Sequence, residues 1–382
     1  MTQVYFDNAA TTKIHPEVAE AMMKVMLEVS GNPSSTHAPG RTAKSYLENA
    51  RKTIAGILNC SAGEIIFTSG GTEADNLVIN SAVRDLGVKR LITSKIEHHA
   101  VLHSAQEASQ QYNIALEYVN LKGCGTPDEA HLEQLLKVSD AKTLVSLMHV
   151  NNEIGNCIDI KAIAQLCKDH DALIHSDMVQ SIGHYDIDVQ EIPIDFAAAS
   201  AHKFHGPKGV GFAYIRKNSG LKPLIFGGSQ ERGLRAGTES VHNIVGLGKS
   251  LQMACDNLEK DRNYIYGIKN YFAERLTKEF PDVKLNGNCA FSDKSTYTLL
   301  NVCLPVPKEK ALMLLFQLDM KGIACSKGSA CQSGSDKGSH VLNEVLDAAA
   351  LDKPNVRFSF STYNTKEEVD YTIEVLKEFV TA

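Results

Sequence analysis

The sequence predicts an α/β fold: a mostly parallel sheet covered by helices on both faces, with a smaller α+β unit after about residue 250. Three observations lead there. The 382 residues are 43% hydrophobic and 22% charged, ordinary globular content with length for a large core and two or three domains. Short apolar runs alternate with helical patterns through the middle of the chain. Beyond residue 250 that alternation stops.

Taken in order, Ile65–Phe67, Arg90–Thr93, Leu144–Val150, Ala172–Ser176, Ile194–Ala199 and Val210–Ile215 read as strands. Glu73–Val83, Asp159–Asp169 and Val241–Leu258 read as helices. A long polar-faced helix follows, then Val283–Leu285, Thr298–Leu304, a helix over Lys308–Leu318, Gly322–Cys325, Arg357–Phe360 and a last helix from Thr365. Val4–Phe6 is apolar but lies too far along the chain from the large sheet to be placed.

The formal charge of −6, with no basic cluster, gives nucleic acid or an anionic membrane no electrostatic purchase. No segment approaches the ~20 apolar residues that span a bilayer, and the start, MTQVYFDNAATTK, has no signal-peptide pattern, so the expected compartment is the cytoplasm. The nine cysteines are scattered and odd in number, and none forms a CxxC pair. A disulfide framework or zinc site is therefore not expected, and no metal is.

Polar clusters follow several of these strands, where open α/β sheets bind ligands. Ser200-Ala201-His202-Lys203-Phe204-His205-Gly206-Pro207-Lys208-Gly209 places a lysine that can form an imine with an aldehyde cofactor, with His202, His205 and Lys208 placed to depress its pKa. Alone, the motif reads slightly better as a solvated basic turn; the companion motifs reverse that balance. In Ile174-His175-Ser176-Asp177-Met178-Val179-Gln180 a strand-tip carboxylate suits the pyridine nitrogen of pyridoxal phosphate, with Gln180 near the ring's phenolate oxygen; Asp177 also reads as a helix N-cap. Thr68-Ser69-Gly70-Gly71-Thr72 opens a helix whose N–H groups suit a phosphate, and matches neither a Walker loop nor GxGxxG. His98 is placed to stack on a cofactor ring and to shuttle protons as a catalytic residue, whereas His99 reads as structural or exposed. Ser326–Ser339, SKGSACQSGSDKGS, reads as a mobile loop in which Cys331 is an available nucleophile, while Cys325 ends an apolar run and reads as inert. Arg357 opens an apolar strand and reads equally as a carboxylate clamp or as half of an ion pair.

In this order, YFDNAATT, GNPSSTHAPGR, TSGGTEADN, EHHAV, MHVNNEIG, HSDMVQS, SAHKFHGPKG, ERGLRAGTES, GSACQSG and RFSFSTYNTKEEVDYTI resemble the cysteine desulfurases of the NifS/IscS type, within the class V aminotransferases, over essentially the whole chain. The resemblance implies fold type I, with a seven-stranded sheet in a large domain (16–249) and a small α+β domain (1–15 with 250–382) carrying the loop 326–339. It implies that Lys203 is the Schiff-base lysine and Cα base, that Asp177 and Gln180 bind the ring, and that His98 stacks on it. Thr72, Ser200, His202 and the Gly71 N–H would hold the phosphate of pyridoxal 5′-phosphate. Thr238 would reach that phosphate from the other subunit of a homodimer. Asn152, which would also touch the cofactor, and Arg357 would grip L-cysteine, with Arg357 on its carboxylate, and Cys331 would receive its sulfur as a persulfide, leaving L-alanine.

Further implications are a sulfur-acceptor protein, such as an iron–sulfur scaffold, and service to iron–sulfur assembly or tRNA thiolation. Lys327 and Gln332 depart from the long-loop pattern SSGSACTSG and bear on the nucleophile's pKa and partner preference. The chain also stops short of the longer IscS tail, which implies a different acceptor or the NifS branch. Another class V aminotransferase or lyase would need Lys203 and Asp177 but not Cys331, and a selenocysteine lyase would turn over only selenocysteine. A cofactor-free sulfur-relay protein is disfavoured by the full set of cofactor residues.

Overall fold

The computed structural model describes residues 3–290, 293–306, 308–327 and 338–381. The strands in chain order are β1 (Val4–Tyr5), β2 (Ile65–Thr68), β3 (Arg90–Thr93), β4 (Ala115–Tyr118), β5 (Thr143–Ser146), β6 (Leu173–Asp177), β7 (Phe196–Ser200), β8 (Gly211–Ile215), β9 (Lys284–Leu285), β10 (Leu299–Cys303), β11 (Ile323–Ala324) and β12 (Asn355–Ser359). Seven of them form the large sheet in the order β2-β8-β7-β6-β5-β3-β4. Only β8 runs antiparallel to its neighbours, so the expected mostly parallel sheet is present.

Both faces are covered, and side-chain alternation divides them. Ile65 and Phe67 of β2, Ala197 and Ala199 of β7, and Phe212 and Tyr214 of β8 enter one apolar core. Ile66, Phe196, Ala198, Ala213 and Ile215 enter the other. The helices in chain order are α1 (Pro16–Glu28), α2 (Ala38–Ile57), α3 (Gly71–Leu86), α4 (His99–Tyr112), α5 (Glu129–Lys137), α6 (Ile160–Asp169), α7 (Val241–Asp256) and α8 (Leu258–Glu279). The helix read to Leu258 breaks at Asn257, which caps the end of α7 and the start of α8. The strand read to Val150 stops at Ser146, beyond which the Glu97 carboxylate accepts the Met148 N–H at 2.8 Å. Strand β4 escapes sequence reading because it is a half-exposed edge strand with no clear alternation.

A third core gathers later segments, including α9 (Lys308–Met320) and α12 (Lys366–Thr381), around the antiparallel ladder β12-β10-β9, while α10 (His340–Val345) and α11 (Ala348–Leu351) pack in a smaller cluster with Ile96 and Ile154. The N-terminal strand belongs with the third core. β1 pairs in parallel with β11, and buried Phe6 packs edge-on against Phe272, Phe358 and Phe360 at 5.5, 6.3 and 5.4 Å between ring centres. Phe6 thus pulls Asp7–Thr12 across to the tips of the large sheet, where Thr12 N donates to His202 O at 2.8 Å. No helix among the described residues is long and apolar enough to cross a membrane.

Candidate active site

A cavity of about 220 Å³ opens at the carboxyl ends of the parallel strands. Gly71, Thr72, His98, Asn152, Asp177, Gln180, Ser200, His202, Lys203 and Arg357, all read from sequence as site residues, line it together. Most arrive from distant segments because polar clusters follow parallel strands that end on one side, while Arg357 comes from within β12 of the smaller sheet.

Lys203 lies in the short turn after β7, and its Nζ donates to the carbonyls of Ala9 and Ala10 at 2.6 and 3.0 Å. Gln180 Nε2 donates to the same Ala9 carbonyl at 2.9 Å. His202 and His205 were expected to depress the lysine's pKa by their charge. Burial instead pushes His202 down to about 4, with Lys203 and Lys208 adding to the shift, and burial lowers His205 as well. Both rings are therefore neutral at neutral pH and lend Lys203 no charge.

Asp177 ends β6, and its Oδ1 accepts the Val179 N–H at 2.9 Å. The side chain is buried, and burial raises its pKa against the pull of that N–H and of Lys203. A protonated ring nitrogen beside this carboxylate would offset the burial penalty. Helix α3 starts at Gly71 with no side-chain cap, leaving its first-turn N–H groups for an anion. Gly71 keeps this helix start close to Val179, since a Cβ would stand 2.5 Å from Val179 Cγ2 and force that side chain to shift. Nearby, the buried Nδ1 of His202 has no hydrogen-bond partner among the described residues. An uncapped helix end, an orphaned imidazole nitrogen, a buried carboxylate and a primary amine in one cavity fit a phosphorylated pyridine aldehyde.

His98 caps α4: its Nδ1 accepts the Ala100 N–H at 3.1 Å, so the neutral ring carries its proton on Nε2. Burial, and secondarily Lys203, pushes its pKa down to about 4. His99, read as structural or exposed, in fact lines the cavity and lies between His103 and His340, at 4.7 and 4.2 Å between ring centres. Arg357 sits mid-strand in β12 and is buried. Its Nη2 donates to Asp7 Oδ1 at 2.8 Å and its Nη1 to Asn152 O at 2.7 Å, so the ion pair read from sequence as one alternative exists. Burial also raises the Cys325 thiol, consistent with an inert role.

Two site residues stand apart. Thr238 is exposed and does not line the cavity of its own chain. Cys331, like Gln332, lies outside the described residues. Sequence reading missed Asp75, Glu153, His340 and the Ala9–Ala10 carbonyls, which also line the cavity. Asp75 is fully buried, 3.4 Å from His175 Nε2. Burial first, then Asp177 and Glu97, raises its pKa well above the usual carboxylate value, while burial lowers His175 to about 3. The one available signal was helical spacing, since Asp75 lies one turn beyond Thr72 in α3.

Residues 4–372 match the family model for aminotransferase class V. The chain is 39% identical over 380 residues to a protein of Dictyoglomus turgidum named cysteine desulfurase IscS, covering 99% of this chain and 94% of the relative. Among solved structures, one titled NifS-like protein has a TM-score of 0.90 at 33% identity over all of both chains. Another, titled SspA in complex with cysteine, has a TM-score of 0.81 at 31% identity, covering 95% of this chain and all of that one. With its strand-tip lysine and carboxylate in one cavity, the chain belongs to the pyridoxal-phosphate-dependent class V aminotransferase family, in its cysteine desulfurase branch.

Proposed function

We propose that this protein removes sulfur from L-cysteine as a sulfurtransferase. L-cysteine and the Cys331 thiol give L-alanine and a Cys331 persulfide: the substrate Cβ–S bond breaks, an S–S bond forms at Cys331, and Cβ gains the proton. Gly71, Thr72, Ser200 and His202 hold the cofactor phosphate, Asp177 its ring nitrogen and Gln180 its phenolate oxygen, with His98 against the ring. When bound, the cofactor supplies an aldehyde for Lys203 and a ring that accepts the electrons left at the substrate Cα. Lys203 moves the Cα proton, and Arg357 with Asn152 orients the substrate carboxylate. The persulfide passes to an acceptor protein of iron–sulfur assembly or tRNA thiolation. The protein works in the cytoplasm as a homodimer in which Thr238 completes the partner's phosphate site. The chain divides into a large domain (16–249) and a small one (1–15 with 250–382), a division supported by the separate cores on the large sheet and around Phe6.

One observation carries the sulfur-transfer reading. Both described stems of the segment that bears Cys331 are fixed to the cavity wall. Ser326 exchanges backbone hydrogen bonds with Arg357 at 2.7 and 3.2 Å. On the other side the Ser339 hydroxyl donates to the Glu153 carboxylate, and His340 Nε2 lies 2.8 Å from Glu97 O. Cys331 is five residues past Ser326, a reach of at most about 18 Å. The test is mass spectrometry after treatment with L-cysteine without reductant, where one added sulfur is expected on the Cys331 peptide. Undiminished L-alanine formation by Cys331→Ala would refute the reading.

A further inference from the structure

The N-terminal turn is the part of the site that no strand-tip motif announces. Phe6, in its aromatic cluster, holds Asp7 against Arg357. Arg357 is 2% exposed, and its neighbours determine how it can be used. Nη1 is committed to Asn152 O at 2.7 Å and Nη2 to Asp7 Oδ1 at 2.8 Å. Nε is buried and has no hydrogen-bond partner among the described residues, and the side chain lines the cavity. A guanidinium is a rigid planar fork of five N–H donors. The two bonds leave one N–H each on Nε, Nη1 and Nη2, and Nε, the nitrogen with no partner among the described residues, is the one free to meet an oxygen of a ligand's carboxylate.

We infer that Asp7 is a positioning residue for the substrate: it fixes the Arg357 plane so that the Nε edge meets the amino-acid carboxylate, and its negative charge keeps that grip loose. The inference rests on the reading of Arg357 as the carboxylate clamp. The loose grip has a chemical reason. L-cysteine and L-alanine carry the same carboxylate, so a stronger clamp binds substrate and product equally and adds nothing to the chemical step. A buried arginine with no counter-charge would also be costly, and Asp7 meets that need while remaining partly open to solvent, with its side chain 20% exposed.

The test is equilibrium titration of the holoenzyme by visible absorbance with two ligands: L-alanine, which has the carboxylate, and cysteamine, which has the amine and thiol without it. Asp7→Asn keeps an oxygen for Nη2 and removes the charge. It is expected to bind L-alanine about three- to tenfold more tightly, with cysteamine affinity within about twofold of wild type. Asp7→Ala loses the acceptor as well and is expected to bind L-alanine at least about fivefold more weakly than Asp7→Asn. Arg357→Ala is the control for the underlying reading. If it leaves the L-alanine to cysteamine affinity ratio unchanged, the clamp reading falls and this inference with it. If it changes the ratio while both Asp7 variants keep the wild-type ratio, the inference alone is overturned. A parallel loss for both ligands in the Asp7 variants also overturns it, because that marks a general structural role.

Discussion

Glu231→Gln tests how the segment leading to Thr238 is held. Arg51 and Glu231 face each other with side chains 2% and 1% exposed. Two parallel hydrogen bonds of 2.8 Å join them, and Glu231 Oε2 also accepts the Phe67 N–H at 2.8 Å. Burial works against the charged guanidinium, and Glu231 with Glu48 together outweigh it, so the Arg51 pKa is raised. Glutamine removes the counter-charge and turns an N–H₂ toward another donor. Breaking one side of a buried pair costs about 3–5 kcal/mol. Glu48 remains 3.2 Å from Arg51 Nε but is 32% exposed, which places the expected loss near the lower end, about 3 kcal/mol. The assay is urea unfolding at fixed protein concentration, run in wild-type and Arg51→Met backgrounds. The same Glu231→Gln change is expected to cost under about 1 kcal/mol when the cation is absent. Glu231 and Arg232 have left-handed φ angles of 46° and 58°, a conformation the pair helps to hold, so reduced cofactor retention should accompany the loss. A cost under about 1 kcal/mol in the wild-type background, or an equal cost in both, refutes the argument.

Three further outcomes follow from the site. Gly71→Ala drives a Cβ to 2.5 Å from Val179 Cγ2, so it is expected to lose about 1–3 kcal/mol and much of its cofactor on dialysis. Val179→Ala in the same chain should restore both, and failure to do so would point to another cause. Asp177→Asn is expected to cut steady-state L-alanine formation at least about 100-fold, because an amide cannot hold a ring proton as a carboxylate does; near-normal turnover would remove Asp177 from the mechanism. His98 has a folded pKa of about 4, below its usual value near 6.5, so the native state resists its protonation. Its contribution is complete above pH 6.5 and is lost as pH falls toward 4, about 2 kcal/mol between pH 7 and pH 5. Stability profiles of wild type and His98→Gln should therefore diverge over that window, and parallel curves would contradict the assignment.

The sequence alone determined the α/β class and the cavity residues that follow strands, because both are written locally. An apolar run followed by a polar cluster marks a strand and its tip, which is how Asp177, Lys203 and Gly71 were found without coordinates. Only the tertiary structure decided which of these groups are charged and what they touch. The imidazoles of His202 and His205 looked like positive neighbours for Lys203, yet burial, a property of the whole packing, leaves them neutral. Arg357 read as either a clamp or an ion pair, and Asp7, 350 positions away, supplies the pair. No local pattern reports such a contact, since it depends on Phe6 docking in a distant aromatic core and carrying the N-terminus across to the sheet.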